Sequence, residues 1–204
     1  MLDKLKEIAK RAKSMREYIT SEEGSKTSLV LPFFEALGYV TYDPTHIIPE
    51  YCADVGDKKK EKVDYAIIYG NKPVAIVECK PLGWDLLHKD SVAQLYRYFS
   101  CVDVRLAILT DGVKYCLFSD IDKPNVMDTV PFATLDIINL SEDDLVMLDR
   151  LKYKSLTHKA TGILSLAKKR TDIRKLKEAY IAKVSEVEDS SDFKVKLINI
   201  INSL

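Results

Sequence analysis

Two short apolar, β-branched runs, Val63–Tyr69 and Val74–Cys79, stand on either side of Gly70-Asn71-Lys72-Pro73. Runs of this kind around a Gly-Asn turn predict a β-hairpin. The first run contains a single acid, Asp64, and the second leads into Glu78-Cys79-Lys80. Side chains alternate along a strand, so Glu78 and Lys80 share a face. If the turn sets the pairing, Asp64 and Glu78 lie side by side at one end of the hairpin. A carboxylate among apolar neighbours is costly to bury unless something compensates it. The hairpin therefore demands a sheet and marks the place where charge must be balanced.

The flanking segments build on that sheet. Leu2, Leu5, Ile8, Ala9, Ala12, Met15 and Ile19 recur at helical steps. Ser21 before Glu22-Glu23 is N-cap chemistry for a second helix, which carries Leu29 to Leu37 and stops at Gly38, with Pro32 inside it. Residues 39–52 predict a short strand at Tyr39, a loop at Asp43-Pro44 and a strand near His46–Ile48. A charged loop follows over 54–62. Residues 88–100 predict a helix, and Val104–Thr110 with Val113–Ser119 a second hairpin around Asp111-Gly112. A polar connector spans 121–133, and Phe132–Leu140 adds a strand. Ser141 followed by three acids starts a further helical region, broken near Thr157–Gly162 and Asp189–Asp192. The order predicts an α/β (α+β) fold: a mixed central sheet flanked by helices, with a helical C-terminal extension. The divisions expected are an N-terminal helix over 1–20, a core over 21–140 and the extension over 141–204.

Composition narrows the class. With 47% hydrophobic and 30% charged residues, the 204-residue chain can bury a core. Lysine plus arginine and aspartate plus glutamate both number 31, a balance unlike that of a dedicated nucleic-acid binder, which is usually basic. Cys52, Cys79, Cys101 and Cys116 form no CxxC pair and read as free thiols. No apolar run approaches the roughly 20 residues of a membrane span, and the charged N-terminus is unlike a signal peptide. No membrane association and a cytoplasmic location are expected.

Two carboxylates beside a lysine can clamp one or two hard cations. Mg²⁺ is the natural choice, with Mn²⁺ able to substitute, because it prefers oxygen ligands and keeps waters. Such an ion polarises a phosphate and stabilises a leaving oxyanion. Lys80 could orient the attacking water, help deprotonate it or neutralise the transition state, and the sequence leaves these roles open. The backbone carbonyl of Cys79 lies between the two side chains and could also face the ion. The competing reading is a buried salt bridge between Lys80 and these carboxylates, with no metal.

Asp64, then the strand ending in Glu78-Cys79-Lys80, resembles the D–(D/E)xK signature of the PD-(D/E)XK nuclease superfamily, although Val63 stands where the superfamily has proline. Gln94-Leu95-Tyr96-Arg97-Tyr98 resembles the QxxxY helix in nuclease domains of type I restriction R subunits. Glu22-Glu23-Gly24-Ser25-Lys26, with Leu31-Pro32 and Leu37-Gly38-Tyr39, resembles the first helix of those domains. VLPFFEALGY, EKVDYAI, ECK, QLYRYF and LTDG, in this order, resemble stand-alone proteins described as predicted type IV restriction endonucleases. The likeness runs from about Ser21 to Asp120. It implies a restriction-endonuclease-like core and a metal-dependent DNA endonuclease of a restriction or phage-defence system. It implies metal binding by Asp64 and Glu78, assistance by Lys80 and Gln94, and support from Tyr98. Glu22 fits best as the helix acid, with Glu23 the near alternative.

Other residues carry paired readings. Lys58, Lys59 and Lys60 could contact DNA phosphates or form a solvated loop. Lys168, Lys169, Arg170, Arg174, Lys175 and Lys177 pose the same choice. Trp84 could stack on a base or fill a gap. His46, His88 and His158 are isolated, and the Thr110-Asp111-Gly112 turn reads as structural. The long C-terminal helices suit a homodimer or a partner subunit supplying motor or specificity. No GxxxxGK[ST] loop is present, so an ATP-driven step would fall to another protein. A catalytically silent nucleic-acid-binding or assembly module that retains the fold is the alternative function.

Overall fold

The computed structural model describes residues 1–52, 62–158, 160–186 and 192–203. Its helices are α1 (Leu2–Ser14), α2 (Glu22–Ser25), a π-helical turn (Lys26–Val30), α3 (Leu31–Ala36), α4 (Lys89–Phe99), α5 (Glu142–Leu151), α6 (Tyr153–His158), α7 (Ala160–Glu186) and α8 (Asp192–Ser203). Six strands, β1 (Ile47–Cys52), β2 (Lys62–Tyr69), β3 (Lys72–Cys79), β4 (Ala107–Thr110), β5 (Lys114–Phe118) and β6 (Ala133–Asp136), form one sheet in chain order. Neighbours are antiparallel except β3 and β4, which run parallel and are joined through α4. The expected mixed sheet flanked by helices, with a helical C-terminal extension, is the architecture found.

The hairpin turns as its residues dictate. Gly70 and Asn71 both have positive φ, 57° and 63°, the left-handed pair of a type I′ turn. The expected strand at Tyr39 does not form. Local bonds occupy this backbone instead: the Tyr39 N–H caps α3 at the Phe34 carbonyl, the Val40 N–H donates to His46 Nδ1 and the Asp43 N–H donates to the Val40 carbonyl. The strand predicted near His46 starts at Ile47 and runs on to Cys52.

The helix from Glu22 to Ala36 is not uniform, and Pro32 explains why. Proline has no N–H, so it leaves the carbonyl four residues back, that of Ser28, without its helical donor. The chain widens into the π turn ahead of the proline. The Ser28 carbonyl accepts instead from Arg11 Nη1 of α1 at 2.8 Å. The first helix thus satisfies a backbone group of the helix that reaches the site.

The sheet separates two apolar clusters. On one face, Tyr65, Ile67, Ala75, Val77, Ile108, Tyr115 and Leu117 pack with residues of α1, the π turn, α3, α5, α6 and α7. On the other, Ile76, Ala107, Leu109, Cys116 and Phe118 pack with Leu95, Tyr98 and Phe99 of α4. Phe33 stacks on Tyr115 with centroids 3.9 Å apart. Tyr39 Oη donates to the Leu151 carbonyl at 2.8 Å, and His46 stacks on Tyr153, fastening the start of the extension to the core. Ser141 caps α5 with the expected box, closed by Asp144. Cys79 and Cys116 are buried, Cys52 and Cys101 partly so, and all four are free. No helix among the described residues is long and apolar enough to cross a membrane.

Gly112, in the β4–β5 turn, sets how near the π turn can come. Its φ is +90°, and a Cβ there would meet Leu29 Cβ at 2.6 Å. Gly112→Ala should cost about 3 kcal/mol by urea unfolding, since left-handed strain and overpacking each contribute about 1–2 kcal/mol. Gly70→Ala, with nothing within 4 Å of the added atom, should cost only about 1 kcal/mol. Equal losses would show that the close approach to Leu29 is not what constrains Gly112.

Candidate active site

The β2–β3 pairing carries Asp64 to the end of the hairpin beside Glu78, and there a side chain replaces the backbone ladder. The Cys79 N–H donates to Asp64 Oδ2 at 2.7 Å, and the Lys80 N–H to the Thr110 carbonyl of β4 at 2.7 Å. The Cys79 side chain turns into the core on the α1 face, while Glu78 faces the polar cluster. Glu78 is 2% exposed and Lys80 8%.

Lys80 is held by three groups. Its Nζ donates to Glu78 Oε1 at 2.8 Å and to Gln94 Oε1 at 3.0 Å, and lies 3.8 Å from Glu22 Oε2. Because an ammonium only donates, Gln94 must present its oxygen, and its Nε2 donates to Tyr98 Oη at 3.0 Å. Gln94 and Tyr98 are one helical turn apart on α4. Asp64, Glu78, Lys80, Gln94 and Tyr98, singled out in the sequence, therefore converge. Glu22 joins them, whereas the largely exposed Glu23 carboxylate lies 3.7 Å from Lys26 Nζ and forms no ion pair with Lys80 among the described residues.

Lys26 is the residue that sequence reasoning missed. It is 7% exposed, its Nζ contacts Asp64 Oδ1, and it lies 3.2 Å from Glu22 Oε1. Cation and anion alternate through Asp64, Lys26, Glu22, Lys80 and Glu78. The four-residue spacing from Glu22 to Lys26 was a signal for a shared helix face, but nothing in the sequence said which element that face met.

Electrostatics follow from burial and proximity. Burial lifts the Glu78 carboxyl from its ordinary 4.5 to about 7, the Asp64 charge adds to the lift, and Lys80 opposes it. Burial likewise lifts Asp64, against the pull of Lys26 and the Cys79 N–H. For Lys80, burial favours the neutral amine, but Glu78, Glu22 and Asp64 outweigh it and raise the group. Lys26 is raised in the same way, mainly by Asp64 and Glu22 against burial. Both lysines are therefore charged at neutral pH.

One atom is left over. Glu78 Oε2 is buried and has no hydrogen-bond partner. Among the described residues, no three His, Cys, Asp or Glu side chains cluster as a ready metal cage. Mg²⁺ does not require one, since one or two carboxylates with waters and substrate oxygens suffice. The carboxylates of Asp64 and Glu78, with Glu78 Oε2 left without a partner, suit a site of that sparse kind.

The remaining sequence candidates divide. Lys58, Lys59 and Lys60 lie outside the described residues. On α7, Arg170 pairs with Asp143, Arg174 with Glu178 and Lys175 with Asp122, so half of that basic stretch is engaged within the fold. Asp111 accepts from the N–H groups of Gly83, Val113 and Lys114, which makes the Thr110–Gly112 turn structural. His46 accepts from Val40 and His88 caps α4, so neither stands at the site. Trp84 is 50% exposed, with its Nε1 donating to Ser91 Oγ of α4.

Residues 34–131 match a family model, that of the type I restriction enzyme R protein N terminus. The likeness is to a restriction-enzyme segment. The match covers just under half of the chain and includes Asp64, Glu78, Lys80, Gln94 and Tyr98, whereas Glu22 and Lys26 precede it. Among solved structures, a chain of the cryoEM structure of a DrdV-DNA complex aligns with a TM-score of 0.50 and 13% identity over 90% of this chain. The alignment spans 16% of that larger chain, and at this identity it speaks for the fold, which is restriction-endonuclease-like. No curated protein matches significantly.

The lifted Glu78 carboxyl has a consequence for stability. Between about pH 4.5 and 7 the folded state keeps a proton that the unfolded chain has released. The stabilisation from this group is thus fully present below about 4.5 and lost as pH rises through about 7. In EDTA, the Tm of the wild type should fall across this window relative to that of Glu78→Gln. Parallel Tm–pH curves would show that Glu78 ionises normally.

Proposed function

We propose that this chain is a Mg²⁺-dependent DNA endonuclease of the PD-(D/E)XK type, acting in a restriction or phage-defence system. The observation that carries the reading is the buried, unpartnered Glu78 Oε2 beside Asp64, with a charged lysine fixed alongside. Asp64, Glu78 and Glu22, with the Cys79 carbonyl, would hold Mg²⁺ or Mn²⁺, which supplies charge neutralisation at the phosphate and the leaving oxygen. The reaction is phosphodiester hydrolysis by in-line attack of water. Lys80, charged and anchored by Glu78 and Gln94, offers its ammonium to a phosphate oxygen as negative charge grows. The carboxylates around it favour its charged form, which suits a charge partner. Gln94 positions Lys80, and Tyr98 positions Gln94.

A second reading has its own observation. Lys26 already compensates Asp64 without an ion, as a catalytically silent nucleic-acid-binding or assembly module would require. Calorimetric titration with Mg²⁺ separates the two, since the silent module binds no ion at the cluster. Partners belong to the same proposal: Ile173, Leu176 and Tyr180 project from α7 into solvent and suit a homodimer mate or a subunit supplying motor or specificity. Mass by size-exclusion chromatography distinguishes these assemblies.

Plasmid and single-stranded DNA, with and without base modification, should be cut in Mg²⁺ or Mn²⁺. Lys80→Ala and Asp64→Ala should each lower the rate by about 10²–10³-fold, the usual loss for one electrostatic group. Absence of cutting on every substrate, with folded protein and no metal binding, would establish the silent module. Lys26→Met should lose about 3 kcal/mol in EDTA, because it strands a buried carboxylate. Millimolar Mg²⁺ should then restore more stability to this variant than to the wild type. Equal Mg²⁺ responses would separate Lys26 from the ion site.

A further inference from the structure

The loop after Lys80 holds its largest side chain outward. Leu82 packs against one apolar cluster and Leu86 is buried in the other, yet Trp84 between them is 50% exposed. This is not the exposure of a floppy residue. The Trp84 N–H closes a tight turn on the Pro81 carbonyl at 3.0 Å. The Gly83 N–H donates to Asp111 Oδ2 at 2.9 Å, and that carboxylate is itself buried and bound to the β4–β5 turn. Trp84 Nε1 donates to Ser91 Oγ of α4 at 3.1 Å, and Ser91 is buried. An indole fixed at its edge and its backbone, with half its surface left in water, presents a rigid aromatic platform.

A cation stands over the same loop. Arg16, just beyond α1, lies over Gly83, where a Cβ would meet its Nη2 at 2.5 Å. Gly83 has a φ of +85°, which favours glycine, and its lack of a Cβ leaves room for the guanidinium. Among the described residues, no carboxylate pairs with Arg16. Trp84 is four positions after Lys80, so their Cα atoms are within about 14 Å even for an extended chain, and the tight turn brings them closer. Aromatic faces stack on any base, and guanidinium groups engage phosphates.

We infer that Trp84 and Arg16 form a subsite that receives an unpaired base and its phosphate next to the cleavage site, so that this chain favours single-stranded or locally unpaired nucleic acid. The inference rests on the nuclease reading and adds a substrate class to it. A base within an intact duplex hides both of its faces in the stack and cannot occupy the platform.

Trp84 is the single tryptophan of the chain, so its fluorescence reports on the subsite directly. The metal-free protein, in EDTA, is titrated with a twelve-nucleotide thymidine strand, a blunt duplex, and a duplex with one bulged base, while anisotropy of labelled DNA measures binding. The strand and the bulged duplex should quench the emission, and the blunt duplex should not. Trp84→Ala should weaken binding of the strand by at least about fivefold, with Trp84→Phe recovering most of the loss. Arg16→Gln should weaken the strand and flatten its salt dependence. Binding with unchanged emission and an unaffected Trp84→Ala would overturn the subsite while leaving cleavage with Mg²⁺ to support the nuclease. Neither binding nor cleavage of any nucleic acid would overturn both. The wild-type titration needs no variant to fold.

Discussion

Asp64 is a carboxylate taken almost entirely out of water, and the arrangement around it depends on compensating that charge. One oxygen takes the Cys79 N–H at the point where β3 leaves β2, and the other takes the ammonium of Lys26. Removing either partner would strand a buried charge, a loss larger than any surface pair could offset. The helix bearing Lys26 must therefore lie across the end of the hairpin, and the contacts that hold it there serve the site. Leu29 against Gly112, Phe33 on Tyr115 and Arg11 on the Ser28 carbonyl act together in this way.

The same helix shows how a local defect becomes a positioning device. Pro32 denies Ser28 its helical donor, the helix widens, and α1 is drawn in to supply the missing hydrogen bond. Glu22 and Lys26 sit at the start of this element, where Glu22 bridges both lysines. From the opposite face of the sheet, α4 contributes Gln94 and Tyr98. The cluster thus lies at the end of β3, where both layers reach past the strands. Neither layer alone could assemble it, because side chains on the two faces of a strand point apart.

Alternation of charge gives the cluster a split character. Lys26 and Lys80 neutralise much of the carboxylate charge, which lets the site exist in a buried setting. Glu78 is nevertheless left with one unsatisfied oxygen and a carboxyl held near neutrality. A fully structural salt-bridge network would be expected to satisfy that atom, since an unpaired buried acceptor costs about 1–3 kcal/mol. Strain of this kind, kept within an otherwise well-packed core, is where function is usually found.

The sequence by itself determined the hairpin, its turn, the alternation that puts Glu78 and Lys80 on one face, the capped start of α5 and the four-residue step from Gln94 to Tyr98. These are local matters, fixed by φ preferences, strand and helix periods and capping chemistry within a few residues. It misread residues 39–42, where the backbone found caps and side-chain partners that no propensity announces. Only the tertiary structure decided that Lys26 meets Asp64, that Glu22 rather than Glu23 reaches Lys80, that Arg11 repairs the carbonyl freed by Pro32 and that Trp84 stays in solvent. Each of these joins elements far apart in the chain, and such pairings are set by how two layers pack on one sheet, a geometry that no short window of residues contains.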